Sequence, residues 1–568
     1  MPGLEDIYSV VTMYSRLILP ALALAVLYRC GRSFLREKYE PETWGYIIFP
    51  DESRAPLRHW ECVLGCARSC DVIVNYPEVS RSHAVLIRDD KGTWTVHDLG
   101  SAGGTKVASK RVGNDGLEIC DGNRLNLAGV RLTFLALTED EQQAFTDARR
   151  EPGNIISPGM TLFILTVFQT VLTLGHTLNA AQEHLGMILL GFGALCAAEW
   201  CYYLMMRSIH RRGFEAETLV FFLCTLGFSV TASSVPGDMP RQVLFLLLGL
   251  ALYLTLGWWL RDLGRANGSR WLAGFGAIAL LAVNLLLADE RFGARNWIEI
   301  AGMSFQPSEF VKIVYVYVGG ATLDRLYRSR NLFMYIGFSA ACVGALALMG
   351  DFGTAIVFFG TFLVISYMRS GNLATVALAV SGAGLAGMLM FTIKPHIAQR
   401  FANWGHIWEF PNDGGFQQTR ALSAAASGGL FGQGAGRGWL HTIVAADTDL
   451  VFCILCEELG SITALCAVLA LLLLAAFAFR GAGSARSSFY VIASCAAVSM
   501  LMIQTALNVF GSTDILPFTG VTFPFVSRGG SSFASCWALL AFVKAADTRR
   551  NASFTTKKVL AARAIRYR

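Results

Sequence analysis

Charged side chains are scarce in this sequence. Lys, Arg, Asp and Glu make up 15% of its 568 residues, whereas hydrophobic residues make up 54%. A soluble globular protein of this length has far more charge, so that class is excluded and the composition indicates a polytopic membrane protein. The net charge is only +6, and the basic residues stand in short clusters between apolar runs. This pattern is typical of cytoplasmic loops and argues against nucleic-acid binding.

The sequence also lacks a disulfide framework. Its 14 cysteines are scattered, many of them inside apolar runs, where a thiol behaves as a small hydrophobe. Cys62, Cys66 and Cys70 recur every four residues, but no His or second Cys pair completes a zinc spacing. We therefore expect no metal site and no cofactor, with a divalent cation left open.

The N-terminal residues 1–43 are interpreted as a membrane anchor with a basic linker. Residues 7–28 are apolar apart from Arg16 and are followed by a basic cluster, which orients the N-terminus outward. A signal peptide is disfavoured, because the charge is on the wrong side and no small-residue cleavage site follows.

Residues 44–137 have a different character. Short apolar runs alternate with Gly, Asp, Asn and Pro, which predicts a small all-β sandwich in water. The segments 79–83 (VSRSH) and 98–105 (DLGSAGGT), with Gly65 and residues 121–122, resemble a forkhead-associated (FHA) domain. Such domains read phosphothreonine peptides. The resemblance implies that Ser80 and Arg81 face the phosphate with Thr105 nearby, and that His83 braces the loop from within.

Two positions depart from the FHA pattern. Cys66 stands where the family has Arg, and Gly103 where it has Asn. A bidentate phosphate donor is thereby lost, although Arg68 is a candidate replacement. We expect weak binding of phosphothreonine proteins at best, and the alternative is a docking surface that reads no phosphate.

After a linker at 138–159, the chain alternates apolar runs of near bilayer-spanning length with short connections. Twelve runs follow one another: 160–178, 185–206, 217–235, 242–259, 272–288, 309–323, 332–349, 354–368, 373–393, 450–479, 488–511 and 531–545. If the β-sandwich is inside, five basic loops and the basic tail 546–568 also fall inside: 207–216, 260–271, 324–331, 369–372 and 480–487. The positive-inside rule is met each time, which favours thirteen spans including the anchor.

The opposite loops are the long or unusual ones: 289–308, 350–353, 394–449 and 512–530. Function is therefore predicted on the outer face. The segments 289–308 and 512–530 are rich in Gly, Pro and aromatic residues, which favours irregular backbone dipping toward a cavity.

Asp449 stands where the long outer loop meets an apolar run. On its position alone, an Asp just before an apolar helix is first a candidate N-cap, and catalysis is the less favoured alternative.

Four outer segments carry a second resemblance. They are 293–312 (GARNWI to QPSEFVK), 351–355 (DFGTA), 427–460 (SGGLFGQG, then TD and EELG) and 516–532 (LPFTG to GGSS). They resemble the SEDS family (shape, elongation, division and sporulation). The resemblance implies a ten-helix peptidoglycan glycosyltransferase core at 217–545, which leaves 160–216 as two additional transmembrane helices.

The SEDS resemblance also implies chemistry, partners and location. The family polymerises lipid II with inversion and release of undecaprenyl diphosphate, during elongation or division. Its catalytic aspartate falls on Asp449, which would serve as the base. The implied partner is a class B penicillin-binding protein, and the implied location is the bacterial cytoplasmic membrane. A precursor flippase and a non-catalytic scaffold for Ser/Thr kinase signalling are the alternative functions.

Ten further residues are candidate substrate contacts: Arg295, Trp297, Gln306, Glu309, Lys312, Lys394, Arg400, Thr519, Arg528 and Ser531. The five cations among them would stabilise the diphosphate. Several have structural alternatives. Trp297 suits an interfacial aromatic belt, Arg295 suits a headgroup contact, and Glu309 with Lys312 suits an intramembrane ion pair.

Other motif residues are open between structural and functional roles. Asp351 is expected to cap the helix that follows it. At least one of Glu457 and Glu458 is expected to face a polar interior. The chain departs from the family pattern at three positions, where Gly350 replaces Pro, Leu450 replaces Phe and Arg528 replaces Tyr.

Overall fold

The computed structural model describes residues 2–36, 42–68, 70–89, 92–113, 115–148, 156–291, 294–300, 303–323, 329–370, 373–393 and 395–555. Helix α1 spans Pro2–Arg36 and so extends the predicted anchor run at both ends. A β-sandwich and a bundle of long apolar helices follow. Lys394 and the tail beyond Thr555, both part of the sequence predictions, lie outside the described residues.

The β-sandwich has two sheets. Its strands are β1 (Gly45–Ile48), β2 (Arg54–Leu57), β3 (Glu61–Gly65), β4 (Val72–Ile73), β5 (Ala84–Arg88), β6 (Trp94–Asp98), β7 (Thr105–Val107), β8 (Lys110–Arg111), β9 (Leu117–Ile119), β10 (Arg124–Leu127) and β11 (Val130–Ala136). One sheet has the order β2-β1-β11-β10-β7-β8 and the other β4-β3-β5-β6-β9. All strand pairs in them are antiparallel except β3 with β4. Alternate residues fill the core, as Leu125 and Leu127 do on β10. The predicted sandwich is confirmed.

The helices after the sandwich are α2 (Glu139–Ala148), α3 (Pro158–Asn179), α4 (Leu185–Ser208), α5 (Glu215–Ser234), α6 (Met239–Trp259), α7 (Leu263–Leu287), α8 (Pro307–Leu323), α9 (Ser329–Met349), α10 (Phe352–Ser370), α11 (Leu373–Ile393), α12 (Pro395–Asn403), α13 (Phe416–Gly428), α14 (Ala446–Asp449), α15 (Val451–Leu459), α16 (Ser461–Ala482), α17 (Ser488–Ser512) and α18 (Gly530–Ala545). Local sequence sets several starts. Pro158 occupies the first turn of α3, and Asp262 caps α7 by accepting from the Arg265 backbone N–H at 3.3 Å.

Nine helices in the described part of the chain are long and apolar enough to cross a membrane. Shorter apolar helices cover Phe352–Met368, Leu373–Leu385 and Gly530–Ala545. A multi-pass membrane fold is therefore confirmed, whereas the predicted count of thirteen spans is not.

The predicted apolar run 450–479 is wrong as a single span. It is divided into α15 and α16 at Gly460, whose φ is +87°. A Cβ at this position would overlap the carbonyl oxygen of Leu430, because the outer loop passes against the helix break. Glu457, Glu458 and Ser461 stand next to the break, but the run as a whole is apolar enough to be taken for one span.

The additional helices are integral to the bundle. α1 packs against α3, α5 and α16, and α3 packs against α4 and α5. Phe34 of α1 stacks on Phe477 of α16 with ring centroids 4.6 Å apart, and Ser33 donates to Glu215 Oε1 at 2.8 Å. The N-terminal anchor is thus a structural part of the membrane domain.

The two segments for which irregular backbone is predicted differ from each other. The segment after α7 forms a three-stranded antiparallel sheet of β12 (Asp289–Arg291), β13 (Ala294–Ile300) and β14 (Met303–Phe305), so the expectation of irregular backbone is wrong there. Residues 513–529 between α17 and α18 contain no helix or strand, which confirms the expectation for that loop.

The chain after α18 folds back onto the bundle. Lys544 lies 3.2 Å from Glu217, and Arg549 lies 3.3 Å from Glu215 and 2.9 Å from Asp547, all five side chains being buried. Such pairing lets charges persist in a low-dielectric interior. Residues 546–555 are therefore an ordered layer under the helices.

We expect Gly460→Ala to destabilise the protein. An alanine would be strained at positive φ and would displace the backbone of the outer loop, at a cost of roughly 1–3 kcal/mol or more. Thermal unfolding in detergent measures the change. Gly337→Ala is the matched control, because nothing lies within 4 Å of a Cβ there. Equal melting temperatures for the two variants would contradict the assigned role of Gly460.

Candidate active site

Asp449 is the last residue of the short helix α14. Leu450 follows as the N-cap residue of α15, and no side chain in that position caps the helix. The interpretation of Asp449 as an N-cap, which its position alone favoured, is therefore wrong. The reason is local geometry: the chain makes one helical turn before Leu450, so the carboxylate precedes the cap position instead of occupying it.

The segment 446–449 is fastened to the irregular loop 513–529. Asn508 Nδ2 donates to the carbonyl oxygens of Asp449 at 3.0 Å and Val521 at 2.8 Å. Ser527 Oγ donates to the Thr448 carbonyl at 2.6 Å. These bonds satisfy backbone groups that have no partner in a helix or sheet, and so they fix the position of Asp449.

The side chain of Asp449 faces the same loop. Gly520 has φ +66°, and a Cβ built on it would lie 3.1 Å from Asp449 Oδ2. A glycine is needed here because of both the left-handed backbone and the close carboxylate. Asp449 itself is half-buried.

The pKa of Asp449 is raised to about 6, mainly by burial and in smaller part by nearby Asp447, while a hydrogen bond from Thr448 and the charge of Arg400 oppose the rise. Arg400 also interacts electrostatically with Asp351. It is exposed on α12, and its Nη1 lies 3.5 Å from the Phe518 carbonyl of the irregular loop. A carboxylate with this pKa is suited to accept a proton. The neighbouring guanidinium is suited to stabilise a negatively charged group.

Three predicted motif segments converge beside this carboxylate. Gln306 Nε2 donates to Asp351 Oδ2 at 3.3 Å, and the Gln306 N–H donates to Ser531 Oγ at 3.4 Å. Asp351 Oδ1 accepts from the Thr354 N–H at 3.0 Å, which confirms its predicted capping of α10. Gln306, Asp351 and Ser531 are all buried, so these hydrogen bonds join the three segments inside the protein.

Glu309 and Lys312 form the predicted ion pair. Lys312 Nζ lies 2.7 Å from Glu309 Oε1, and both side chains are at most 3% exposed. Ser535 Oγ donates to the other carboxylate oxygen at 2.8 Å. Their roles as substrate contacts stay predictions, but the positive charge of Lys312 is already matched.

Arg528 is held between two carboxylates. Its guanidinium pairs with Asp447 and with Asp238, and its backbone N–H donates to the Asp447 carbonyl at 2.9 Å. This arrangement ties the irregular loop to α14 and to the turn before α6. The added charge is thus used in a clamp, and substrate contact by Arg528 stays a prediction.

The remaining predicted contacts lie apart or are less defined. Arg295 is exposed and Trp297 half-buried on β13, whose position is fixed in part by Asn284 donating to the Arg295 carbonyl at 3.4 Å. Thr519 lies next to Gly520, and its buried Oγ1 has no hydrogen-bond partner in the described part of the chain. Lys394 is outside the described residues.

Glu457 and Glu458 are both buried and both hold the outer loop. Glu457 accepts from the N–H groups of Trp439 at 2.9 Å and Leu440 at 3.1 Å. Glu458 accepts from the Gly436 N–H at 3.0 Å and from Ser233 Oγ at 2.6 Å. Their structural role is therefore defined by four hydrogen bonds.

Sequence reasoning missed Asn508, Gly520 and Ser527. Asn508 gave a usable signal, since a polar residue near the end of an apolar run indicates a partner. Gly520 and Ser527 sit inside a predicted motif but were not distinguished from their neighbours.

The FHA-like loops have the predicted internal brace. His83 is fully buried, accepts from the Ser80 N–H at 3.1 Å and lies 3.3 Å from the Gly104 carbonyl. Thr105 is also buried and donates to Asp98 at 2.6 Å, so it braces the loop from inside. Arg81 is exposed. Arg111, which the sequence did not single out, approaches Gly104 so that its Nη2 would lie 3.3 Å from a Cβ there.

Comparison with known proteins identifies both parts. The FtsW/RodA/SpoVE model, described as a cell cycle protein, matches residues 218–552, and the FHA domain model matches residues 62–128. The chain is 29% identical to the peptidoglycan glycosyltransferase RodA of Mycobacterium tuberculosis, over 53% of this chain and 69% of the relative. It is 31% identical to an FtsW of Tolumonas auensis, over 62% of this chain and 96% of the relative.

Two further likenesses agree. Stage V sporulation protein E of Bacillus subtilis is 34% identical, over 43% of this chain and 68% of the relative. A solved structure described as "Structural coordination of polymerization and crosslinking by a peptidoglycan synthase complex" superimposes with a TM-score of 0.50 and 26% identity. It covers 58% of this chain and 96% of that chain.

We expect Arg528→Ala to lower the free energy of unfolding by about 1–2 kcal/mol, because two carboxylates lose their partner. Thermal unfolding in detergent measures this loss. The control is Arg241→Ala, which removes a 60%-exposed arginine 3.5 Å from the same Asp238 and is expected to change little. If Arg528→Ala were no more destabilising than Arg241→Ala, the clamp would be refuted.

Proposed function

Because the chain belongs to the FtsW/RodA/SpoVE family and carries an FHA domain, we propose that it is a peptidoglycan glycosyltransferase that polymerises lipid II at the membrane surface. The observation that carries the proposal is the position of Asp449. It is a half-buried carboxylate with a pKa of about 6, and it stands at the end of α14 against the irregular loop.

The proposed reaction is one displacement. Asp449 accepts the proton of the sugar 4-hydroxyl while the hydroxyl oxygen bonds to the anomeric carbon of the lipid-linked chain. The bond from that carbon to the diphosphate breaks, and its electron pair leaves with undecaprenyl diphosphate. A single attack of this kind inverts the anomeric centre and needs only one carboxylate as base.

Arg400 is the best-supported cation for the leaving diphosphate. It interacts electrostatically with both Asp449 and Asp351, whereas Lys312 and Arg528 are already paired with carboxylates. Among the described residues Arg400 contacts the Phe518 carbonyl at 3.5 Å and forms no ion pair within 4 Å, so its charge is available to a phosphate. Arg295 and Lys394 stay predicted contacts.

The proposed orientation places Asp449 on the outer face and the FHA domain in the cytoplasm. α17 is apolar enough to span a membrane, and the two features lie at its opposite ends: Ser488 contacts the FHA domain and Asn508 contacts Asp449. The basic inner loops of the sequence support the same orientation. The location is then the bacterial cytoplasmic membrane.

Two partners are proposed by analogy. A class B penicillin-binding protein would crosslink the new strands, which accords with the synthase complex of the similar solved structure. The FHA domain would bind phosphothreonine proteins weakly, since Cys66 and Gly103 replace two polar groups of the family pattern. A divalent-cation requirement is left to the assay, and no group of three or more His, Cys, Asp or Glu in the described ranges is arranged to hold a metal.

We expect Asp449→Asn to abolish glycan synthesis while the protein stays folded. Loss of a general base costs about 10²–10⁴-fold in rate. Purified protein, with and without a class B penicillin-binding protein, is given labelled lipid II, and glycan ladders are measured. Because ionisation of Asp449 is disfavoured in the folded state, the variant should melt at a higher temperature above pH 6.

The control for this variant is Asp413→Asn, which changes an exposed aspartate of the same outer loop. It should retain full activity. Near wild-type polymerisation by Asp449→Asn would reject the assignment of the base, and would favour a flippase or scaffold if the parent protein also made no glycan.

We expect polymerisation to fall as the pH drops through about 6. The raised pKa of Asp449 means that the basic, ionised form is present above this value and is lost below it. The pH profile of kcat/KM measures the midpoint. A midpoint near 4, the usual range of an exposed carboxyl, would contradict the role of burial.

A further inference from the structure

The FHA domain contacts the membrane helices through one edge, which we call the docking edge. Its residues are Glu42, Trp44, His59, Trp60 and Glu61. It rests on the turn 483–488 between α16 and α17, where the Trp60 N–H donates to the Arg486 carbonyl at 2.7 Å and His59 Nδ1 lies 2.8 Å from the Ala485 carbonyl.

The centre of the docking edge is a charge pair. Arg486 of the turn donates to both carboxylate oxygens of Glu42, at 2.6 and 2.9 Å, and its guanidinium lies 5.6 Å from the Trp44 ring centroid. Both members of the pair are less than 20% exposed. A bidentate, half-desolvated pair fixes direction as well as distance, so the domain is docked in one orientation.

Glu61 acts on the first residues of α17. Ser487, the N-cap residue, donates to Glu61 Oε1 at 2.8 Å, and the Ser488 N–H donates to Glu61 Oε2 at 2.8 Å. A carboxylate from the FHA domain thus satisfies a free N–H group and complements the positive end of the helix dipole. The helix begins against the domain.

The other end of α17 holds the candidate active site. Asn508 donates to the carbonyls of Asp449 and Val521. Twenty residues separate Ser488 from Asn508, which is about 30 Å of helix. The sequence between them contains no Pro or Gly, the residues at which helices bend sharply.

We propose that Glu42 and Glu61 are positioning residues for the reaction: the docking edge sets the axial position of α17, and α17 sets the position of Asp449 through Asn508. The inference rests on the proposed function. A straight helix moves as a unit, and a displacement of 1 Å at a reacting group costs up to about 10²-fold in rate. Undocking therefore slows polymerisation without touching the active site.

The docked orientation leaves the FHA recognition loops accessible. β3 begins at Glu61 in the docking edge and ends at Gly65, next to the loop of Ser80 and His83. Arg81 in that loop is exposed. A ligand at these loops can bind while the domain is docked.

The test uses the full chain and three variants. Glu61→Ala and Glu42→Ala each weaken the docking edge at a different contact, and Glu118→Ala is the control, because this glutamate is exposed on β9, outside the docking edge. Hydrogen exchange at Ser488 and Phe489 reports undocking. Lipid II polymerisation and its pH midpoint report the position of Asp449.

We expect Glu61→Ala and Glu42→Ala to speed exchange at Ser488, to slow polymerisation roughly 3- to 10-fold and to shift the pH midpoint by about half a unit or more. The loss of rate in the double variant should not exceed the product of the two single losses. If both substitutions act by undocking, the loss should be smaller than that product. Glu118→Ala should match the parent protein. A merely structural effect would change stability and leave the midpoint fixed.

Three results would overturn the inference. One is faster exchange at Ser488 with unchanged rate and midpoint, and another is unchanged exchange in both docking-edge variants. The third is an equal loss of rate in Glu118→Ala. Absence of glycan from the parent protein contradicts the proposed function and the inference together, whereas an active parent with fully active docking-edge variants contradicts the inference alone.

Discussion

The candidate site depends on the side-chain amide of Asn508. More than fifty residues separate the segment that carries Asp449 from the irregular loop 513–529. The two segments do not pair in a sheet. One amide group donates to a carbonyl of each, at 3.0 and 2.8 Å. In a membrane domain, backbone that leaves regular structure is tolerated only where such partners exist. Asn508 therefore holds the loop 513–529 next to Asp449 at the end of α17.

The charged side chains around Asp449 differ in whether they form ion pairs. Lys312 is neutralised by Glu309, and Arg528 by Asp447 and Asp238, so these charges are used to hold helices and loops together. Asp449 is different, because burial raises its pKa to about 6 although a hydrogen bond from Thr448 and the charge of the exposed Arg400 oppose the rise. Because the raised pKa makes ionisation of Asp449 unfavourable in the folded protein, its charge destabilises the fold above that pKa.

Sequence patterns predicted the membrane helices, the β-sandwich and the motif segments of the site, because hydropathy, residue period and motif order are local properties. The errors have non-local causes. The break at Gly460 lies against the Leu430 carbonyl, thirty residues earlier. The error about Asp449 as an N-cap is the exception, because it comes from one local helical turn, α14. The ion pairs of Arg528 join residues 81 and 290 positions apart. Such distances leave no periodicity that a single sequence can show.

The elements outside the family core act on the same catalytic segment from two sides. From within the bundle, Asn179 of α3 donates to the Ala435 carbonyl at 2.9 Å and accepts from Arg437 at 3.1 Å, in the outer loop that Glu458 holds through Gly436. From the other end of α17, the FHA domain fixes the start of the helix whose last turns hold Asp449. The loop before α14 and the helix α17 both hold α14, together with the irregular loop 513–529, and each addition is attached to one of the first two. The N-terminal third of the chain is therefore part of the framework around Asp449, and this framework includes residues that the family core does not contain.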